Sequence, residues 1–281
     1  NPLLHWRISK RDWRHWELYD QFIAAAERTI MKTSTGLAPW KIVEGYDERY
    51  RGVAVATMIR DAIRFRLEEA KAASGGGNGD AATRIAKPAA EDNGLAPVTI
   101  LSRLDMSKTL AKDDYDTGLK QYQAKINQLQ RAAREHKVST LLVFEGWDAA
   151  GKGGTIRRIT AALDARDYQV IQIAAPTDEE AAHNYLWRFW RHLPRAGRVT
   201  IYDRSWYGRV LVERIEGFAR TREWQRAYAE INDFEAQLVE RGIVLLKFWL
   251  HITPDEQLRR FKEREQIAYK AWKLTDEDWR N

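Results

Sequence analysis

Cysteine is absent from this 281-residue chain, which excludes disulfides, thiolate nucleophiles and cysteine-ligated zinc and suits a reducing cytoplasm. Histidine is sparse: none of the 6 has metal-ligand spacing, and no nucleophile–base pair stands out. No apolar run approaches the roughly 20 residues that cross a bilayer, so no membrane partner is expected. Neither sign of charge is lacking, and 46 Lys+Arg against 40 Asp+Glu leave a net +6 and a pI near 9.4. By charge alone that balance suits a polyanionic partner, with nucleic acid, an inorganic phosphate polymer and membrane headgroups all compatible before the other signals are weighed. No nucleic-acid recognition motif is present, so nucleic acid is not expected. Tryptophan is abundant, at 12 residues, and most of these are expected in the core or between helices. The first residue is Asn1 rather than Met, so the sequence reads as processed, truncated or partial.

The chain is organised around Leu141-Leu142-Val143-Phe144-Glu145-Gly146-Trp147-Asp148-Ala149-Ala150-Gly151-Lys152-Gly153-Gly154-Thr155. An apolar run of strand length ends in a glycine-punctuated loop, and a helix-competent segment follows. Gly146 and Gly151-Lys152 satisfy the first seven places of the phosphate-cradling pattern G-x-x-x-x-G-K-[ST]. In that pattern backbone N–H groups face phosphate oxygens, the lysine reaches the transferred group, and the helix presents its positive end. The eighth place is Gly153, which has no hydroxyl for magnesium. A plain glycine turn with a solvated Lys152 would explain neither the lysine position nor the strand in front.

Before this unit, residues Ser9 to about Thr29 read as a helix capped by Ser9. Trp40-Lys41-Ile42-Val43 reads as a short strand, and Asp47 to Glu69 as a second helix. From Ala70 to Pro97 the composition falls to Ala, Gly, Ser, Asn and Pro, which predicts a flexible linker. Asp116 to Lys137 reads as a helix. Tyr168 to Ile173, Arg198 to Asp203 and Ile243 to Leu250 read as strands, separated by helices over Asp178–His192 and Glu223–Arg241. Alternation of apolar strands and helices predicts an α/β fold with a parallel sheet covered on both faces. Ligands of such sheets bind at the carboxyl ends of the strands, where Gly146–Gly154 and Asp203 both fall. A charged helix begins at Pro254, and a second capped start follows it.

Trp6 to Arg14 repeats as Trp272 to Arg280, with two tryptophans, an aspartate and an arginine identical. So long a period points to domain duplication, and the chain reads as a piece of a longer tandem protein. On that reading residues 1–69 are the closing elements of a preceding unit, among them its last strand and final helix, 70–97 a linker, and 98–281 a phosphate-loop unit. Trp40–Val43 is then expected to join the same sheet as Leu141–Phe144, in cis or from another copy.

Phosphoryl transfer needs a phosphate cradle, a divalent ion and positive charge aimed at the transition state. Asp203, ending an apolar strand, is placed as a metal acid. Asp148 is the substitute for the missing hydroxyl, with a turn-forming aspartate as its alternative. Arginine gives bidentate phosphate contacts, and it clusters at Arg188, Arg191, Arg195 and Arg198, at Arg204, Arg209 and Arg214, and at Arg259, Arg260 and Arg264. Arg204 adjoins the metal acid, and Arg260 and Arg264 share a helix face.

Glu145 to Gly154, Tyr202-Asp203-Arg204-Ser205-Trp206-Tyr207-Gly208-Arg209, Tyr185 to Trp190, and Lys247-Phe248-Trp249-Leu250-His251 with Leu258 to Phe261 resemble the signatures of the second polyphosphate kinase family. The missing hydroxyl at Gly153 is itself that family's pattern. The resemblance covers Leu101 to Asn281 and, as a lid-and-tail piece, Trp6 to about Leu67. It implies a P-loop kinase (a Walker A-type loop) with a helical lid, moving a phosphoryl group between polyphosphate and a nucleotide. By that resemblance Lys152 and Arg204 hold phosphates, with Asp148 and Asp203 binding Mg2+ or Mn2+. The loop residues Gly146, Ala149, Ala150, Gly151, Gly153 and Gly154, with Arg209, Arg260 and Arg264, complete the phosphate site. The duplication resembles the two-domain branch that makes ADP from AMP, with a homo-oligomer compatible. The competing readings are ADP as acceptor, an ATP-dependent nucleoside monophosphate kinase, and a degenerate polyphosphate-binding module without activity.

Overall fold

The computed structural model describes residues 10–74 and 99–266. Five strands form one parallel sheet in the order β1-β5-β2-β4-β3. They are β1 (Trp40–Glu44), β2 (Thr140–Gly146), β3 (Tyr168–Gln172), β4 (Val199–Asp203) and β5 (Val244–His251). β2 and β5 lie inside the sheet and are buried along nearly all their length, which is why they read as unbroken apolar runs. β3 forms one edge and alternates only weakly, with Val170 exposed.

Trp40–Glu44 forms the opposite edge, pairing in parallel with β5 from Trp40↔Lys247 to Glu44↔His251. Trp40–Val43 therefore shares a sheet with Leu141–Phe144 within one chain, as the sequence pattern leads one to expect. The helix after it, α3 (Glu48–Ser74), packs along α4 (Lys112–Glu135). Val55, Ile59, Ile63 and Leu67, spaced every fourth residue, form its buried stripe.

Several boundaries differ from the pattern, among them the start of α4 at Lys112 rather than Asp116, and three differences have a visible cause. The first helix divides at Leu18 into α1 (Lys10–Glu17) and α2 (Tyr19–Thr33). Hydrogen bonds from Leu18 N to Arg14 O and from Phe22 N to Leu18 O cross the break, so it is a bend rather than a gap. The bend sends Trp13 and Trp16 toward Phe261 and Pro254 while Tyr19 turns to Trp147. The Asp178–His192 helix is instead two single turns, α6 (Asp178–Ala181) and α7 (Trp187–Trp190). Thr177 and Glu180 make a capping box that starts the first. The Asn184 side chain then accepts Leu186 N–H at 3.0 Å, diverting a donor from the helix ladder. Finally, α3 continues through Ala70 to Ser74, because alanine and lysine there still favour helix. The remainder of the linker reading, the Ser9 cap and both copies of the repeat beyond Lys10–Arg14 lie outside the described residues.

After α5 (Lys152–Thr160), a 3-10 turn at Trp206–Arg209 and α8 (Val212–Ile215) lead into α9 (Thr221–Glu240), and α10 (Pro254–Gln266) follows β5. α9 covers the sheet through Ala227, Ile231, Phe234 and Leu238. The carboxyl ends of β2 and β4 meet beside α1, α2 and α10, and a cleft opens there.

Candidate functional site

The loop from Gly146 to Gly151 is shaped by backbone that only certain residues tolerate. Gly146 has φ +131° and Gly151 φ +98°, and a side chain at Gly146 would collide with the Leu250 backbone of β5. Ala149, at φ +63°, and Arg204, at φ +64°, hold the left-handed region without being glycine, a strain that structures keep where the surroundings over-determine it. Ala150 is fully buried and donates its N–H to Trp147 O at 3.1 Å. Gly153 and Gly154 are exposed on the first turn of α5, and nothing lies within 4 Å of where a Gly153 side chain would be.

Lys152 opens α5 and turns inward, donating to Gly146 O and Trp147 O at 3.0 Å each. Burial lowers its pKa, with Asp148 and Asp203 pulling in the opposite direction. Asp148 accepts from the Arg204 guanidinium at 2.5 Å and contacts His15 Nδ1 at 3.3 Å. Burial pushes its pKa up, but Arg204, His15 and Lys152 outweigh that and hold the carboxyl well below the usual range. Asp203, half-buried at the end of β4, is close enough to Lys152 and Arg204 to act on both. Among the described residues no group of three or more His, Asp or Glu side chains could hold a metal ion alone.

A cleft of about 590 Å³ opens over the loop, lined by Asp148 and Arg204 together with Arg188, Arg209, His15 and Arg11. Arg209 pairs with Glu213 at 2.9 Å and lies over the Tyr185 ring. Arg260 brackets the loop from α10, donating to Ala149 O at 2.9 Å and to Gly45 O and Tyr46 O beyond β1. Arg264 is exposed one turn further along α10. The structure thus gathers Lys152, Asp148, Asp203, Arg204 and Arg209 at one end of the sheet, with Arg260 behind the loop.

The family model for polyphosphate kinase 2 matches residues 1–71 and 109–281. The chain belongs to the polyphosphate kinase 2 family. It is 47% identical over 281 residues to a polyphosphate:AMP phosphotransferase from Pseudomonas syringae pv. tomato, covering 100% of this chain and 55% of the relative. Identity to the polyphosphate:AMP phosphotransferase of Pseudomonas aeruginosa is 48%, with the same coverage. A crystal structure of a polyphosphate kinase 2 from P. aeruginosa superposes with a TM-score of 0.60 at 48% identity, over 97% of this chain and 54% of that one. The chain spans about half the length of these relatives.

Four further residues around the loop are given no role by the sequence alone. His15 joins Asp148 to Glu216, with Nε2 at 2.9 Å from Glu216 Oε1. Ser205 donates to the buried Glu145 at 2.8 Å, tying the loop after β4 to the end of β2. Burial raises the Glu145 pKa, against Ser205, Lys152 and Arg204. Arg51 of α3 lies against Gly151. Glu145 and Ser205 stand inside the quoted signatures and are the two that sequence could have flagged.

Proposed function

We propose that this chain transfers the terminal phosphoryl group of inorganic polyphosphate to AMP, giving ADP and a polyphosphate one unit shorter. The observation that carries this reading is the match over 100% of the chain to relatives named polyphosphate:AMP phosphotransferase. A phosphate oxygen of AMP attacks the terminal phosphorus, and the bridging P–O bond breaks with its electron pair leaving on the shortened polymer. The AMP phosphate is already ionised near neutral pH, so the step needs no general base, in keeping with the lack of a nucleophile–base pair.

In this reading Lys152 exchanges the carbonyls of Gly146 and Trp147 for phosphoryl oxygens, and the N–H groups from Gly146 to Gly154 face the same anion. Arg204 and Arg209 neutralise charge along the cleft, and Arg260 and Arg264 act from α10. Asp148 and Asp203 are hard-oxygen donors within reach of Lys152, which fits Mg2+ or Mn2+ held jointly with waters and substrate phosphates. Such an ion supplies Lewis-acid charge to the phosphates. We place the reaction in the cytoplasm, on the cysteine-free composition.

The test is phosphoryl transfer to AMP and to ADP with polyphosphate as the only donor, on this chain and on Lys152→Ala. AMP-dependent ADP formation, reduced at least about 100-fold in the variant, is expected. Turnover with ADP alone rejects AMP as acceptor, and transfer from ATP but not polyphosphate overturns the reading.

A further inference from the structure

Arg51 is an unusual cation. It lies on α3, 104 residues before Thr155, yet it is 3% exposed and packed against the phosphate loop. Its Nε donates to Thr155 Oγ1 at 3.2 Å and its Nη1 to Gly45 O at 2.5 Å, while its Nη2 edge lies against the left-handed Gly151. Any side chain at Gly151 would collide with this guanidinium, so the glycine is needed for the arginine as well as for its φ of +98°.

A buried guanidinium is normally matched by a carboxylate. Among the described residues, Asp47 and Glu48 are carboxylates near enough to act on Arg51, and both are committed elsewhere. Asp47 accepts from the N–H groups of Arg49 and Leu110, and Glu48 pairs with Arg158 at 3.1 Å. Two more cations, Arg260 and Arg158, stand close enough to repel it. Burial and these neighbours lower its pKa to about 10. The fold therefore holds positive charge behind the amino end of α5, where the helix dipole is positive as well.

We infer that Arg51 is a positioning residue of the phosphate loop, whose counter-charge is the phosphate anion of the substrate rather than a protein carboxylate. This rests on the polyphosphate reading above, which makes an anion the occupant of the loop. The hydrogen-bonding pattern supports a role other than holding the fold. Both groups that accept from Arg51 keep a hydrogen bond without it: Gly45 O still accepts from Arg260 Nη2 at 2.9 Å, and the Thr155 hydroxyl still donates to Gly151 O at 3.1 Å. Removing the guanidinium orphans neither group and relieves a concentration of like charge. A structural arginine behaves in the opposite way, leaving unpaired groups behind.

Arg51→Met keeps the length and apolar stem of the side chain, and Arg51→Lys keeps its charge. Binding of inorganic tripolyphosphate is measured by calorimetry on the wild-type chain and both variants, alongside thermal unfolding without ligand. Arg51→Met is expected to bind roughly tenfold or more weakly, the effect of a unit charge acting across several ångströms at an intermediate dielectric. Its unligated melting temperature is expected to equal or exceed that of the wild type, and Arg51→Lys is expected to recover most of the affinity. Affinity within about twofold of wild type in Arg51→Met overturns the inference. So does a fall in its unligated melting temperature of more than about 4 °C, or failure to fold, either of which makes Arg51 structural. Wild-type chain that binds no tripolyphosphate overturns the polyphosphate reading, and this inference with it.

Discussion

Asp148 shows how single residues set the character of the site. Its carboxylate faces Arg204 and His15 and lies within reach of Lys152, so it stays ionised although it is 19% exposed. His251 is the opposite case. It is buried at the end of β5, Trp147 Nε1 donates to its Nδ1 at 3.2 Å, and burial lowers its pKa from 6.5 to about 4, with Glu44 pulling weakly upward. The imidazole is therefore neutral in the fold and binds a proton more readily in the unfolded chain. Above pH 6.5 it costs nothing. As pH falls from 6.5 to 4 the unfolded state takes up the proton first, and stability drops by up to about 3 kcal/mol. Urea unfolding at pH 7 and at pH 5 measures the loss. His251→Asn keeps an acceptor for Trp147 but cannot titrate, and its loss between those pH values should be smaller by about 2 kcal/mol. Equal losses in the two proteins would remove His251 from the account.

At the scale of elements, α1 and α2 act as a brace on the phosphate loop. Tyr19 stacks on Trp147 with ring centroids 4.0 Å apart, and its hydroxyl donates to Ile252 O at 3.0 Å. Trp16 Nε1 donates to Pro254 O, and Trp13 meets Phe261 edge-on at 5.8 Å. Tyr19→Phe keeps the stack and loses one buried bond, so it should cost about 1–2 kcal/mol by chemical denaturation. Tyr19→Ala loses the ring as well and should cost about 3–5 kcal/mol. Similar costs for both would mean that the stack contributes nothing. This brace also marks where sequence reading stopped. β2 and β5 were legible because both faces of each are covered, and α3 because Val55, Ile59, Ile63 and Leu67 repeat at helical spacing. α6 and α7 were not, since one side-chain acceptor, Asn184, outweighs the helix propensity around it. Lys152, Asp148 and Arg204 were legible because they crowd into two short motifs. His15 and Arg51 lie 133 and 104 residues from the groups they contact, a distance no local pattern spans.

At the scale of the molecule, residues on either side of 75–98 build one sheet and one site. The segment before that stretch contributes β1, the Gly45 and Tyr46 carbonyls that hold Arg260, and the Arg51 cation. It also contributes to a buried network. Lys247 of β5, fully buried, donates to Glu235 Oε2 at 2.7 Å, to Tyr207 Oη at 3.0 Å and to Thr33 O at 2.6 Å, and Trp40 Nε1 donates to Thr33 Oγ1 at 2.9 Å. Without the first segment, one edge of β5 would be unpaired, Lys247 would lose an acceptor, and the faces of α4 and Trp249 would meet water. A buried ion pair stripped of its surroundings is a liability rather than a reserve of stability. Residues 99–281 expressed alone should therefore be aggregation-prone, with an exposed strand edge as the cause. Co-expression with residues 1–74 should restore a soluble complex, because the parallel pairing of β1 with β5 and the packing of α3 on α4 need no covalent link. Size-exclusion chromatography of the two pieces, followed by tripolyphosphate calorimetry, tests this. Residues 99–281 that remain monomeric and bind as tightly as the whole chain would show that the second segment completes both sheet and site by itself.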